Sequence, residues 1–265
     1  MKTSTLALLG ALAAAPLLGA VLVTNLTAQD VPAPEAAGTA PDRAATEAII
    51  REYLLANPDV IVEALERWRD LQDLAAQTQA EDAALAALPV LLSGETGFAM
   101  GAGADEAEVL VAEFFDYHCG YCRRATDFVF ALAEEDGVRV VLQDLPILRE
   151  ESRGAALAGL AAAETGDYPA MHRQLMRASG VLDEDAVAKA ARRADADGVR
   201  TRLEDDEARA RLEARLLASV DMARSMGLDG TPTFVVASPD GRYLRVIPSY
   251  DPEAVEAAVI EARRG

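Results

Sequence analysis

Cysteine and histidine are nearly missing from this chain. Two of each occur in 265 residues, and both cysteines fall in one short stretch, EFFDYHCGYCRRA, residues 113–125. So sparse a set argues against a scaffold held together by disulfides, and a Cys-x-x-Cys bridge used as a staple closes too small a loop to remove much entropy from the unfolded chain. Zinc wants four ligands, and although His118 adjoins Cys119, His172 lies far along the sequence. Haem attachment needs a histidine directly after the second cysteine, where Arg123 stands instead. Positive charge is also in deficit: 25 basic residues face 44 acidic ones, a formal charge of −19 spread along helix-like segments. Such a surface repels nucleic acid and is otherwise that of a solvated globular protein. Beyond the first 23 residues no apolar run is long enough to span a bilayer.

What is present begins with an address. Lys2 precedes LALLGALAAAPLLGAVLV, an uncharged apolar run with Pro16 inside it, laid out as an export signal. Residues 1–28 are therefore a signal peptide, cleaved near Ala20 or Ala28, or an uncleaved membrane anchor, since Thr5 to Val23 is just long enough to cross a bilayer. Either way the protein works in the periplasm or another exported compartment. Residues 29–42, rich in Pro and Ala without hydrophobic periodicity, form a disordered or polyproline-like spacer.

Residues 43–88 read as a helical arm. Ile49, Ile50, Tyr53 and Leu54 recur at helical spacing, and Asn57-Pro58 restarts the chain as N-cap and first helical residue. The second helix carries Ile61, Leu65, Trp68 and Leu71 in one stripe, which is covered either by the main domain or by another copy of the chain, making the arm a docking or oligomerisation device. About half of the residues are hydrophobic, enough for a sizeable core. The main domain takes residues 90–265. EVLVAEFFDY is a strand buried on both faces, a helix runs from Cys119, and GVRVVLQDLPI is the next strand, so the cysteines open the helix of a β-α-β unit. TFVV and RYLRVI form a later strand pair, and a helix capped by Asp251 with Pro252 in its first turn closes the chain.

That placement points to a redox dithiol. At a helix N-terminus Cys119 meets unpaired N–H groups and the positive end of the helix dipole, which favour thiolate over thiol. Cys119 is the expected nucleophile. Cys122, one turn further in and more buried, is the expected resolving thiol. Gly120 and Tyr121 tune the pair, while His118 and Arg123 add positive potential, unless Arg123 is simply a solvated base. The dithiol is its own redox carrier, so neither cofactor nor metal is required.

VAEFFDYHCGYCRRA, the later GLDGTPTFVV and the helical stretch between them resemble the DsbA-like thiol–disulfide oxidoreductases, most nearly the Com1/ScsC-type branch, where REYLLANPDVIVEALE is similar to the N-terminal helical region. The likeness covers roughly residues 45–262. It implies an α/β thioredoxin-like fold with a helical insertion at about 146–228, preceded by the N-terminal helical arm. It further implies protein substrates bearing thiols or disulfides, and a membrane redox partner that resets the dithiol. By the same likeness Thr231-Pro232 is a cis-proline pair that lies against the cysteines and receives substrate peptide as an added strand, whereas the local sequence alone reads as an ordinary proline leading into a strand. Thr231, Gly120, Tyr121 and His118 are then the substrate-contacting candidates.

Glu113, six residues before Cys119, is a carboxylate inside an apolar strand. Buried, it would exchange the proton of Cys122, as the acid at this spacing does in DsbA-like proteins; at a frayed strand end it would be held by a lysine or by water. His172, in YPAMHRQLM, is expected to be an exposed or half-buried helix residue and no ligand. Gly166 and Gly227 are placed to stop helices of the insertion. The sequence leaves oxidase and isomerase both open, along with a rival from another class, a soft-metal (copper) module holding Cu(I) on the two thiolates.

Overall fold

The computed structural model describes residues 42–264. The expected export segment and the spacer up to residue 41 lie outside the described residues. Two compact units divide at residues 58 and 59. In the first, helix α1 spans Arg43–Ala56; the Asp42 carboxylate accepts from Ala44 N and opens it, and Asn57 closes it, its backbone N–H and its side-chain Nδ2 both donating to Tyr53 O. Asn57 thus ends α1, where the sequence placed it at the start of the following helix. No residue of α1 is buried.

The second unit begins with α2, Asp59–Ser93, which continues through Pro89 beyond the boundary at residue 88 read from sequence. At the helix end Arg139, from the sheet, donates to the carbonyls of Leu92 and Ser93, two of the last-turn acceptors that have no partner within the helix. The second half of α2 buries Ala80, Ala84, Leu88 and Leu91, a helical stripe, while Ile61, Leu65, Trp68 and Leu71 in the first half are 45–58% exposed. One helix therefore has a covered end and a bare end.

The remaining elements are β1 (Phe98–Gly101), β2 (Val109–Phe115), α3 (Gly120–Leu132), β3 (Val138–Asp144), α4 (Ser152–Thr165), α5 (Tyr168–Arg177), α6 (Glu184–Arg193), α7 (Gly198–Glu204), α8 (Asp206–Ser225), β4 (Thr233–Ala237), β5 (Leu244–Ile247) and α9 (Pro252–Arg264). Among the described residues five strands form one sheet in the order β1-β3-β2-β4-β5. Only β2 and β3 run parallel, joined by the α3 crossover; the other neighbours are antiparallel. All seven residues of β2 are buried, as its unbroken apolar run requires of a central strand covered on both sides.

The period-two alternation of β2 divides the core. Val109, Val111 and Phe115 face α3, α9 and the inserted helices, whereas Leu110, Ala112 and Phe114 face the buried half of α2 and the end of α8. Helices α4 to α8 fill the interval between β3 and β4, the stretch read from sequence as a helical insertion. Gly166 ends α4 in the left-handed conformation, and Gly227, also at positive φ, follows α8. Among the described residues no helix is long and apolar enough to cross a membrane. The element that sequence reading missed is β1: FAMG is a four-residue edge strand that follows Gly97 and ends at Gly101, too short to show an alternation.

Candidate active site

Strand β2 ends at Phe115, and four residues later the chain enters α3. Asp116 O accepts from Cys119 N at 2.9 Å, folding the connection into a turn that leaves Cys119 as the N-cap, with extended backbone (φ −75°, ψ 120°). A polar N-cap side chain usually serves the first free N–H groups of a helix. Here the sulfur occupies that place.

Both cysteines are unbridged and buried, Cys122 completely and Cys119 at 5% exposure. Their affinities for a proton are driven apart. Hydrogen bonding from the Cys122 thiol is the largest influence on Cys119; the N–H groups of Cys122 and Tyr121 add to it, and these donors overcome burial and bring Cys119 down to about 5. As a neutral thiol the same sulfur donates to Thr231 O at 3.1 Å, a bond that only the protonated form makes, but the donors to the anion outnumber it. Burial pushes the Cys122 thiol far up, and so do its hydrogen bond to Cys119 and the nearby Glu113. The expectation from sequence gave the helix terminus the leading part. In the structure the neighbouring thiol leads and the terminal amides follow.

Glu113 lies within β2, opposite Leu142 of β3 and Phe234 of β4, and is 1% exposed. Among the described residues no lysine holds it, and its Oε1 has no hydrogen-bond partner. Burial, with a smaller repulsion from Cys119, raises its carboxyl to about 8, so it is mostly protonated at neutral pH. The structure brings Glu113, Cys119, Cys122 and Thr231 together. The Thr231–Pro232 peptide bond is cis, and Pro232 is buried just ahead of β4. Gly120 is exposed at the first turn of α3, with open space where a side chain would project. Tyr121 is 57% exposed, and the Arg124 guanidinium lies over its ring at 4.1 Å.

Three expectations need correction. His118 adds no positive charge: its Nε2 accepts from Leu182 N, a role open only to an unprotonated nitrogen, and burial lowers its pKa from the ordinary value. Arg123 is not simply solvated; its Nε and Nη2 donate to Tyr117 O at 3.2 and 3.1 Å. His172 is neither exposed nor half-buried. It is 1% exposed, packs among Phe115, Phe130 and Tyr168, pairs through Nδ1 with the Tyr117 hydroxyl at 3.2 Å, and is held by burial down to about 3.

Sequence reading also passed over three polar residues. Asp116 accepts from His118 N, Leu148 N and Ser152 Oγ, and Ser152 in turn reaches His118. Their only signal was an aspartate directly after a strand, a common turn residue. Asp144 sits on the same face of the sheet as Glu113, with neither carboxylate oxygen hydrogen-bonded, and burial holds its pKa well above the ordinary value.

Comparison with known proteins bears on the fold. A family model described as Thioredoxin matches residues 95–245, and one described as the copper resistance protein ScsC N-terminal domain matches residues 42–73. Among solved structures, a thioredoxin-like oxidoreductase from Silicibacter pomeroyi is 35% identical, with 66% of this chain and 96% of that chain covered and a TM-score of 0.56. BcfH of Salmonella enterica Typhimurium is 25% identical over 83% of this chain and 95% of its own, with a TM-score of 0.64. The catalytic domain of Proteus mirabilis ScsC shares the fold at 23% identity, 70% and 99% coverage and a TM-score of 0.60. The Na(+)/H(+) antiporter NhaA 3 of Salinispora tropica is 36% identical over 163 residues, which are 60% of this chain and 24% of that protein; the chain spans about a quarter of the length of the curated relatives it matches. With one thioredoxin model matching more than half of its length, the chain belongs to the thioredoxin family, and its helical N-terminal region is similar to that of ScsC.

Proposed function

We propose that the protein is an exported thiol–disulfide oxidoreductase that exchanges disulfides with protein substrates, with Cys119 as the attacking sulfur and Cys122 as the resolving one. The observation that carries this reading is the divergence of two adjacent thiols, Cys119 brought down to about 5 while Cys122 is driven up. A thiolate that is stable at neutral pH stabilises the reduced pair, which makes the disulfide form an oxidant, so donation to substrate is the favoured direction.

In that direction a substrate thiolate attacks Cys119 Sγ, and the Cys119–Cys122 bond breaks. Cys122 leaves with the electron pair and takes a proton from Glu113, which still holds one at neutral pH. A second substrate thiolate then attacks the substrate sulfur of the mixed disulfide, and Cys119 departs as its stable thiolate. Two electrons have moved from substrate to protein. The cis Thr231-Pro232 segment, against Cys119, is the proposed seat of the substrate strand, with exposed Gly120 and Tyr121 following the sulfur in the chain, whereas the His118 side chain is turned inward to Ser152 and Leu182 and does not meet the substrate. A membrane redox partner returns the pair to its disulfide.

A second reading, isomerisation by an oligomer, is favoured by the bare first half of α2, where Trp68 is 58% exposed and Leu65 is 50% exposed. Light scattering on the full chain separates the two readings. An oligomer that Trp68→Lys dissociates, with loss of activity on scrambled substrates and retention of thiol oxidation, supports the isomerase. A monomeric wild type excludes it.

For exchange itself, Cys119→Ser should abolish turnover on a reduced protein substrate in the presence of chelator, and Cys122→Ser should accumulate the mixed disulfide, seen by mass spectrometry. Turnover surviving Cys119→Ser contradicts the reading. Stoichiometric copper binding without turnover replaces it with the soft-metal module.

Glu113 also leaves a mark on stability. A carboxyl at about 8 in the folded state, against an ordinary value of 4.5, binds its proton more tightly when folded. Its ionisation therefore costs nothing below pH 4.5 and destabilises progressively up to pH 8, by at most ~5 kcal/mol. In the reduced protein Glu113→Gln should gain stability over wild type as pH rises across that window, measured by denaturant midpoints. A difference that is flat with pH contradicts the raised value.

A further inference from the structure

The hydrogen bonds around His118 can be satisfied in only one sense. Leu182 N approaches His118 Nε2 at 3.0 Å, and since a backbone N–H only donates, Nε2 carries the lone pair. The neutral ring then keeps its proton on Nδ1, which faces Ser152 Oγ at 2.8 Å; the serine hydroxyl donates onward to Asp116 Oδ1, also at 2.8 Å. Asp116 closes the set by accepting from His118 N at 2.8 Å and from Leu148 N at 2.9 Å. The His118 and Asp116 side chains are 3% and 0% exposed, so these bonds are shielded from competing water. Arg123, Arg149 and Glu151 are the other charged groups felt by the ring.

The chain of bonds joins three pieces of backbone that share no strand or helix: the loop that carries Cys119, the segment between β3 and α4, and the segment between α5 and α6. The tied amides of Leu148 and Leu182 lie at or beside side chains that the protein leaves bare. Leu148 is 50% exposed and Ile147 43%, while Val181, next to Leu182, is 41% exposed. Nothing in the chemistry of two sulfurs requires bare aliphatic groups at this loop, and an apolar stretch of a protein substrate would cover them.

We propose that Asp116, Ser152 and His118 are positioning residues that fasten the 145–151 and 178–183 segments to the cysteine loop, so that Ile147, Leu148 and Val181 form an apolar lip for the residues flanking a substrate protein's cysteine. The inference rests on the exchange function proposed above and adds to it a preference for polypeptide over small thiols. The lip contributes binding, and the sulfurs contribute chemistry.

The test uses the full chain in its disulfide form and compares the rate of oxidation of a peptide whose cysteine is flanked by leucine and phenylalanine with that of glutathione. Ser152→Ala should lower the peptide-to-glutathione rate ratio about tenfold, the effect of one shielded hydrogen bond, chiefly through the peptide KM. The surface pair Leu148→Ser and Val181→Ser should lower the same ratio without touching the hydrogen bonds. His118→Gln, whose amide oxygen can take the Leu182 N–H, should recover most of the ratio that His118→Leu loses. An equal fall on both thiols in Ser152→Ala, or a wild-type ratio in the Leu148/Val181 variant, overturns the proposal. Failure of the wild type to oxidise either thiol is distinct, because it overturns the exchange function and this inference with it.

Discussion

One proton shared unequally between two sulfurs is the constraint on which the site depends. Cys122 keeps its proton because it is completely buried, and by donating it across to Cys119 it makes the outer sulfur easy to ionise. The two shifts have a common origin, so neither residue's reactivity can be stated without the other. The fold supplies the depth difference. Strand β2 delivers the chain to the sheet's end, the turn at Asp116 sets Cys119 at the start of α3, and one helical turn carries Cys122 inward against the core.

The cost of that arrangement is visible behind the dithiol. Glu113 and Asp144 lie on one face of the sheet, buried and, among the described residues, short of hydrogen-bond partners. Native proteins rarely leave such atoms unpaired unless a site requires it. Tyr117 is better provided for. Its hydroxyl meets His172, and Gly159 makes room for it, since a methyl group there would approach the hydroxyl to 2.5 Å. The polar layer between sheet and inserted helices thus combines satisfied and unsatisfied groups, and the unsatisfied carboxyl nearest the thiols is Glu113, the proposed proton donor.

Much of this was legible in the sequence, for identifiable reasons. An unbroken apolar run announced β2, and the Cys-x-x-Cys spacing just beyond it announced a helix start with one sulfur outside and one inside. Glu113 was legible as a charge where none belongs. The resemblance supplied what local sequence could not, above all the placement of Thr231 beside Cys119, 112 positions earlier in the chain. What stayed hidden was set by long-range contact. Whether His118 is charged depends on Leu182, and whether His172 is buried depends on Tyr117, each pairing residues far apart in the chain. The stripe on α2 shows the converse. Its helical period was plain, but the described chain buries only the later residues of that helix and leaves Trp68 bare.

The claim at the centre is that Cys119 is an anion at neutral pH in the reduced protein. Its titration, followed by thiolate absorbance in the Cys122-containing full chain and assigned by comparison with Cys119→Ser, reads this directly. The account predicts a midpoint of about 5, far below the ordinary thiol value of 9. A midpoint close to 9 would contradict it, because the neighbouring thiol and the helix amides would then not be stabilising the sulfur on which the exchange depends.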